Sequence, residues 1–328
     1  MEKNKIKDLK TGVIGVGSMG RNHARVYSKI SNLMGVADPD ENHGRKVAET
    51  FGVEWFKNYE DLLDHVDAVS IVTPTKYHKE VALTVANSGV NILVEKPLSG
   101  SVSDSQEIID NCISNDVILS VGHIERHNPV IRFIKKSLDN DNFGELITIS
   151  AQRLSPNPSR IQDVGVIFDL SVHDIDLMNY LFSKPPVSVF CLGSKISEQD
   201  NEENAIIVLD YENGKTGICQ TSWLSPKKVR QIQLLSNNNL ATLDFTEQTI
   251  DFSSSKLVDL NMEKLFNFTQ ETNHTRISIS KEEPLENELI DFLLSISDKR
   301  QPLVSGNDGL LMVKIAEAAI ESLKSGVK

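Results

Sequence analysis

The sequence predicts an α/β fold followed by an α+β fold: a parallel, doubly wound sheet first, then a large, mostly antiparallel open sheet with helices on one face. Three observations predict it. A short apolar run breaks into the glycines of Gly15-Val16-Gly17-Ser18-Met19-Gly20 and opens into a helical pattern. Over the first 121 residues, continuous apolar runs alternate with helical patterns, as strands covered on both faces do. Beyond that point strand patterns follow one another with short links, which favours antiparallel pairing. Residues 1–121 are expected to form one domain and residues 122–328 a second.

In the first domain the strand patterns are 11–16, 33–37, 68–72, 91–94 and 117–121. The helical patterns between them are 19–28, 41–51, 59–64, 79–88 and 103–114. The second domain starts with a helix at 129–138 and passes Gly144 into a strand at 145–153. A polar loop, 155–165, carries two prolines. A helix at 166–182 follows, on which Ile167, Leu170, Leu177 and Leu181 form one apolar stripe. Strands are expected at 187–196, 205–210, 216–222, 229–236 and 240–245. Asn213-Gly214 between two of them suits a tight hairpin, because both residues tolerate positive φ. Helices at 285–297 and 307–324 close the sequence.

A hydrophobic content of 39% and a charged content of 24% are those of a water-soluble globular protein. No apolar run approaches the roughly 18 residues that span a bilayer, so no membrane partner is expected. The segment Met1 to Lys10 is charged and lacks the apolar core of a secretory leader, so a cytoplasmic protein is expected. The net charge of -12 disfavours nucleic acid as a partner, while leaving room for an anionic small substrate in a local basic pocket. Cys112, Cys191 and Cys219 lie far apart and fit neither a zinc spacing nor a disulfide framework.

The glycine segment has three physical jobs. Gly15 allows a tight turn off the strand, Gly17 lets backbone approach a pyrophosphate, and Gly20 lets the helix pack closely on the strand. Ser18 and Met19 begin that helix, whose N-terminus favours negative charge. Asp38 ends the second apolar run, 18 residues past Gly20, where a carboxylate accepts both ribose hydroxyls of NAD and repels a 2′-phosphate. Together these predict a Rossmann domain with NAD as cofactor. Thr73, Pro74 and His78 follow the third strand, and Glu95-Lys96-Pro97 follows the fourth. Both segments fall at the carboxyl edge of the sheet, where ligands bind in open α/β folds. Lys96 there is a candidate general acid/base.

Asp169, His173 and Asp176 share one helical face beside the apolar stripe. A histidine flanked by carboxylates is a candidate acid/base; a surface ion-pair cluster is the other reading. No further ligand stands at a metal spacing. In His123-Ile124-Glu125-Arg126-His127, Ile124 occupies the place where a zinc-protease helix needs glutamate, so no metal is expected.

In this order the residues resemble the Gfo/Idh/MocA family of NAD(P)-dependent sugar and inositol oxidoreductases, over essentially the whole chain. The resemblance rests on Gly15 to Gly20, Asp38, Thr73-Pro74, Glu95-Lys96-Pro97 and the Asp169…His173 pair. It implies that Lys96 and His173 handle a hydroxyl proton and that Asp169 orients the substrate or the histidine. It further implies cofactor contacts from Gly15, Gly17, Ser18, Met19, Gly20, Asp38, Thr73, Pro74, His78, Glu95 and Lys96. The segments 121–129 and 163–170 are similar to the branch acting on nucleotide-activated amino sugars, although His127 stands where that branch usually has an apolar residue. The implied reaction is oxidation of the C3 hydroxyl of UDP-N-acetylglucosamine to the 3-keto sugar. Arg126, Arg153 and Arg160 are candidates for the pyrophosphate of such a nucleotide sugar, with Asn128 also at the substrate. Oxidation of inositol, glucose or another free polyol is the alternative, and a non-catalytic NAD-sensing regulator is a third reading. A homodimer or homotetramer through the C-terminal sheet is expected.

Overall fold

The computed structural model describes residues 5–157, 164–196, 201–259 and 269–326. The chain forms two compact units, each built on its own sheet. The first unit comprises Met1–His127 and Glu283–Lys314. In it β1 (Lys10–Ile14), α1 (Ser18–Ile30), β2 (Asn32–Ala37), α2 (Glu41–Phe51), β3 (Glu54–Phe56) and α3 (Glu60–Leu63) come first. Then follow β4 (Ala68–Ile71), α4 (His78–Asn87), β5 (Asn91–Glu95), α5 (Val102–Ser114) and β6 (Leu119–Gly122). The six strands are parallel, in the order β3-β2-β1-β4-β5-β6. Chain direction across the sheet reverses between β1 and β4, which makes their carboxyl ends the ligand crevice of such a fold.

Strand side chains alternate between two apolar layers. Ile92 and Val94 pack with Val81 and Val85 of α4 and Ile108 of α5. Leu93 points the other way, into the layer of Ala24 and Tyr27 of α1. All of these residues are fully buried or nearly so. Helix ends are set by local chemistry. Asp40 caps α2 by accepting from the His43 amide, and Ser101 caps α5 by accepting from the Asp104 amide.

The second unit comprises Asn128–Glu282 and Ile315–Lys328. It begins with α6 (Pro129–Asp139) and β7 (Leu146–Pro156). The expected helix at 166–182 divides into a π-helical turn, Ile167–Ser171, and α7 (Val172–Phe182). The strands β8 (Ser188–Ser194), β9 (Asn204–Tyr211), β10 (Lys215–Ser222), β11 (Leu224–Ser236), β12 (Asn239–Asp244), β13 (Thr249–Asp259) and β14 (Thr269–Ser278) follow. The sheet order is β14-β13-β12-β11-β7-β10-β9-β8, antiparallel except for the parallel pair β7–β10. Asn213 and Gly214 join β9 to β10 with φ of 64° and 72°, as the dipeptide requires. Sequence patterning missed β3, β13 and β14.

Helix α7 covers one face of this sheet; a Cβ on Gly217 of β10 would lie 2.8 Å from the Met178 sulfur. On β9, Ala205, Ile207, Leu209 and Tyr211 point into that layer. The other face carries the cross-strand pairs Leu192–Ile206 and Leu235–Leu240, whose members are all exposed.

The chain then returns to the first unit with α8 (Pro284–Ser297) and the start of α9 (Gly306–Ser325). Leu285, Leu289, Phe292 and Leu293 of α8 join the same apolar layer as Tyr27 of α1. The expected boundary at residue 121 is therefore corrected: 122–127 and 283–314 belong with the cofactor fold. The cause is tertiary, since the partner of the apolar face of α8 lies far upstream in sequence. Among the described residues no helix is long and apolar enough to cross a membrane.

Candidate active site

The glycine turn after β1 is built as its spacing predicts. Gly15 has φ of +84°, and a Cβ there would lie 2.8 Å from the Val72 carbonyl oxygen. A Cβ on Gly20 would lie 1.9 Å from the Gly15 carbonyl oxygen, so α1 can approach β1 only with glycine at that point. A Cβ on Gly17 would meet nothing within 4 Å, which leaves its surface open to a ligand. The first turn of α1, with Ser18 and Met19, has neither a side-chain cap nor an acidic residue. Its amides and dipole suit a pyrophosphate.

Asp38 is held in place by its own loop. One carboxylate oxygen accepts from the Val16 amide and the other from the Asp40 amide, both at 2.9 Å. A cavity of about 340 Å³ opens beside it, lined also by Gly15, Lys57, Tyr59, Thr73 and Tyr77. The Thr73 hydroxyl is buried and has no hydrogen-bond partner among the described residues. An open glycine, an uncapped helix start, a fixed aspartate and an orphan hydroxyl fit NAD. The first unit would hold its pyrophosphate at Gly17 to Gly20 and a ribose at Asp38.

Pro74 and His78 lie in the loop that starts α4. His78, expected to touch cofactor, is instead an internal tie. Its ring is buried, with Nε2 2.9 Å from the Thr73 carbonyl and Nδ1 2.9 Å from the Pro97 carbonyl. Burial pushes its pKa down, against the two carbonyls and the charge of Glu95, which favour the protonated ring.

Glu95 ends β5 and points inward. Its Oε1 accepts from His23 Nε2 at 3.0 Å, and its Oε2 accepts from the Lys96 amide at 3.1 Å. Burial alone would raise the Glu95 pKa, but the hydrogen bond and charge of His23, with Lys96 adding, hold it below the ordinary glutamate range. Lys96 follows at the carboxyl end of the strand, next to Pro97 and its cis peptide bond.

In the second unit, Asp169 lies in the π-helical turn and His173 in the first turn of α7, and both are half-buried. A π turn inserted into a helix is common at functional sites, because it resets the face that the next side chains present. Asp176 is 1% exposed, inside the core instead of at its edge.

The cations expected at a substrate pyrophosphate are corrected in two of three cases. Arg126 is buried in the first unit, where it donates to Asp308 at 3.0 Å and to the Leu303 carbonyl at 3.2 Å. Arg153 is buried in the second unit, where Nε and Nη2 grip Asp174 at 2.7–3.1 Å. Both guanidinium groups are committed to internal carboxylates. Arg160 lies outside the described residues. Asn128 is also internal: it caps α6 by accepting from the Val130 amide and donates to the Phe245 carbonyl.

Sequence patterning missed a buried polar chain beneath β5. His23 Nδ1 lies 2.9 Å from the Ser70 hydroxyl, which lies 2.8 Å from the Tyr27 hydroxyl. Glu288 of α8 completes the group. The signal was present in the patterns: His23 stands on the apolar face of α1, and Glu288 interrupts the Leu285, Leu289, Phe292 stripe of α8. Cys112, Cys191 and Cys219 are buried, and burial pushes the Cys112 and Cys191 thiols up to about 12 and Cys219 well above its ordinary value.

Residues 9–123 match the oxidoreductase family with an NAD-binding Rossmann fold, and residues 131–238 match the GFO/IDH/MocA C-terminal domain. The UDP-N-acetylglucosamine 3-dehydrogenase of Acidithiobacillus ferrooxidans is 34% identical over 242 residues, 74% of this chain and 76% of that protein. Its solved structure superposes with a TM-score of 0.87 at 29% identity, covering 98% of this chain and 100% of that one. The myo-inositol 2-dehydrogenase of Thermotoga maritima is 24% identical over 96% of both chains.

Proposed function

The chain belongs to the Gfo/Idh/MocA family of NAD-dependent oxidoreductases, and from that premise we propose that it oxidises the C3 hydroxyl of UDP-N-acetylglucosamine in the cytoplasm. The observation that carries the substrate is the 34% identity to a UDP-N-acetylglucosamine 3-dehydrogenase over three quarters of both chains. NAD⁺, when bound, accepts the hydride from the carbon that bears the hydroxyl. Lys96, at the carboxyl edge of the first sheet, and His173, at the start of α7, manage the proton that leaves that hydroxyl. Asp169 orients the sugar or the histidine. With Arg126 and Arg153 committed elsewhere, Arg160 is the remaining arginine of the three for the substrate pyrophosphate.

A free polyol is the second reading, favoured by inositol dehydrogenases that align over nearly the full chain at 24–26% identity. A non-catalytic NAD sensor fits less well, because a sensor has no use for Lys96, Asp169 and His173 together. The exposed pairs Leu192–Ile206 and Leu235–Leu240 support a homodimer or homotetramer formed through the open sheet face.

The test is formation of reduced cofactor with UDP-N-acetylglucosamine, UDP-glucose, myo-inositol and glucose 6-phosphate. Preference for the first by at least about tenfold in kcat/KM, a difference of about 1.4 kcal/mol, supports the assignment. Preference for myo-inositol replaces it with the second reading. Lys96→Met and His173→Ala should each lower kcat by ~10²–10⁴-fold while NAD binding persists. Near-normal turnover in both would refute their roles.

A further inference from the structure

Glu288 is a buried carboxyl group with no donor among the described residues. It sits on α8 at 1% exposure, and neither oxygen has a hydrogen-bond partner among the described residues. One of its oxygens, one oxygen of Glu95 and one nitrogen of His23 all lie within 4.8 Å of one another. His23 has no capacity to spare, since Nε2 serves Glu95 and Nδ1 faces the Ser70 hydroxyl. The Ser70 hydroxyl in turn meets Tyr27. An ionised Glu288 would be a buried charge beside another carboxylate, without a donor to offset the lost hydration. A protonated Glu288 supplies the donor itself, and Glu95 still has lone pairs to accept it.

We propose that Glu288 carries a proton at neutral pH and shares it with Glu95, so that the pair holds one negative charge at the residue preceding Lys96. Glu288 is thereby a positioning residue for Glu95. Its consequence for turnover rests on Lys96 being the catalytic lysine; the protonation itself does not.

The surroundings agree. The groups that face Glu288 are His23 and Tyr27 from α1, Glu95 from β5, Glu125 from the short turn after β6, and Asp291 from α8 itself. Burial raises the Glu288 pKa well above the glutamate range, with the charges of Glu95, Asp291 and Glu125 adding to it. Glu95 moves the other way, held low by His23 and Lys96. Both directions agree with a pair that holds one proton and one charge, the proton on the Glu288 side. The raised pKa of Glu288 also makes stability depend on pH. The folded pKa of Glu288 exceeds the unfolded one, so the stability it contributes is complete below about pH 4.5 and is lost as pH rises toward the folded value.

The test is infrared spectroscopy of the full chain at pH 7, where ordinary carboxyl groups are ionised. Wild type should show the carbonyl stretch of one protonated carboxyl, which Glu288→Gln removes and which fades as the wild-type protein is titrated upward. From pH 5.5 to 8.5 the melting temperature should fall more steeply in wild type than in Glu288→Gln. In the same range kcat/KM should lose its alkaline decline in Glu288→Gln. A wild-type spectrum without the band overturns the proposal, as does a stoichiometric divalent metal that wild type carries and Glu288→Gln lacks. A uniform loss of kcat/KM at every pH overturns the positioning role. Failure of the substrate assignment leaves the infrared result unchanged, so the two can fail separately.

Discussion

The Nδ1 atom of His78 lies 2.9 Å from the carbonyl oxygen of Pro97, tying the start of α4 to the loop that carries Lys96. The opposite nitrogen reaches the Thr73 carbonyl, so one ring spans the two loops at the carboxyl edge of the first sheet.

Replacing His78 by Leu removes the one N–H that the neutral ring can donate, along with its contacts to both carbonyls. A buried carbonyl left unpaired costs about 1–3 kcal/mol, so urea unfolding should show a loss of at least that size. The affinity for NAD should weaken in parallel, because Thr73 loses its anchor. The folded pKa of His78 is depressed by burial below the unfolded value of about 6.5. The stability that the neutral ring supports is therefore full above pH 6.5 and is lost as pH falls through the folded pKa. Unfolding curves at pH 7.5 and pH 5 should converge between wild type and His78→Leu at the lower pH.

Gly17 and Gly20 should respond differently to alanine. At Gly20 the new methyl would press on the Gly15 carbonyl, forcing α1 off β1 at a cost of about 1–3 kcal/mol. At Gly17 the methyl has open space, so the melting temperature should hold. NAD affinity should still drop by about tenfold or more, because the methyl stands where backbone meets phosphate. Thermal melts and cofactor titration on the two variants separate fold from binding.

Asp38→Ser should relax cofactor choice. The carboxylate repels a 2′-phosphate, and Lys57 on the wall of the same cavity would be left to attract one. The ratio of kcat/KM for NAD over NADP should fall by at least about tenfold. An unchanged ratio would mean that discrimination lies elsewhere.

Arg153 and Asp174 form a pair in which both side chains are almost completely buried. Arg153→Met strands the Asp174 charge and should cost about 3–5 kcal/mol in unfolding free energy. The double variant Arg153→Met with Asp174→Leu should recover much of it. A wild-type melting curve for Arg153→Met, with KM for the nucleotide sugar raised, would instead return Arg153 to the substrate.

The cofactor half was readable from sequence because its signals are local. Turn, strand and helix start fall within the ten residues around Gly15, and Asp38 stands at a fixed distance from them. The outer strands of the second sheet were not readable. β13 runs through Ser253 and Ser254 with little apolar alternation, and its pairing is set by β12 and β14 beside it. Nor could spacing show that Arg126 and Arg153 are spent on Asp308 and Asp174, since those partners arrive from elsewhere in the fold. Asp169 and His173 stand four residues apart in the sequence, but the π turn that carries Asp169 leaves no mark in residue type.

The return of α8 to the first unit has a cost during synthesis. Phe292 and Leu293 complete an apolar layer whose members from α1 and the parallel strands have left the ribosome long before. At elongation rates of about 5–20 residues per second, the emerging protein holds that layer uncovered for roughly 10–30 seconds. A nascent chain halted near residue 127 would present a sticky, unfinished surface, and a gene fragment cut at the apparent cofactor domain should yield insoluble protein unless the α8 segment is supplied with it.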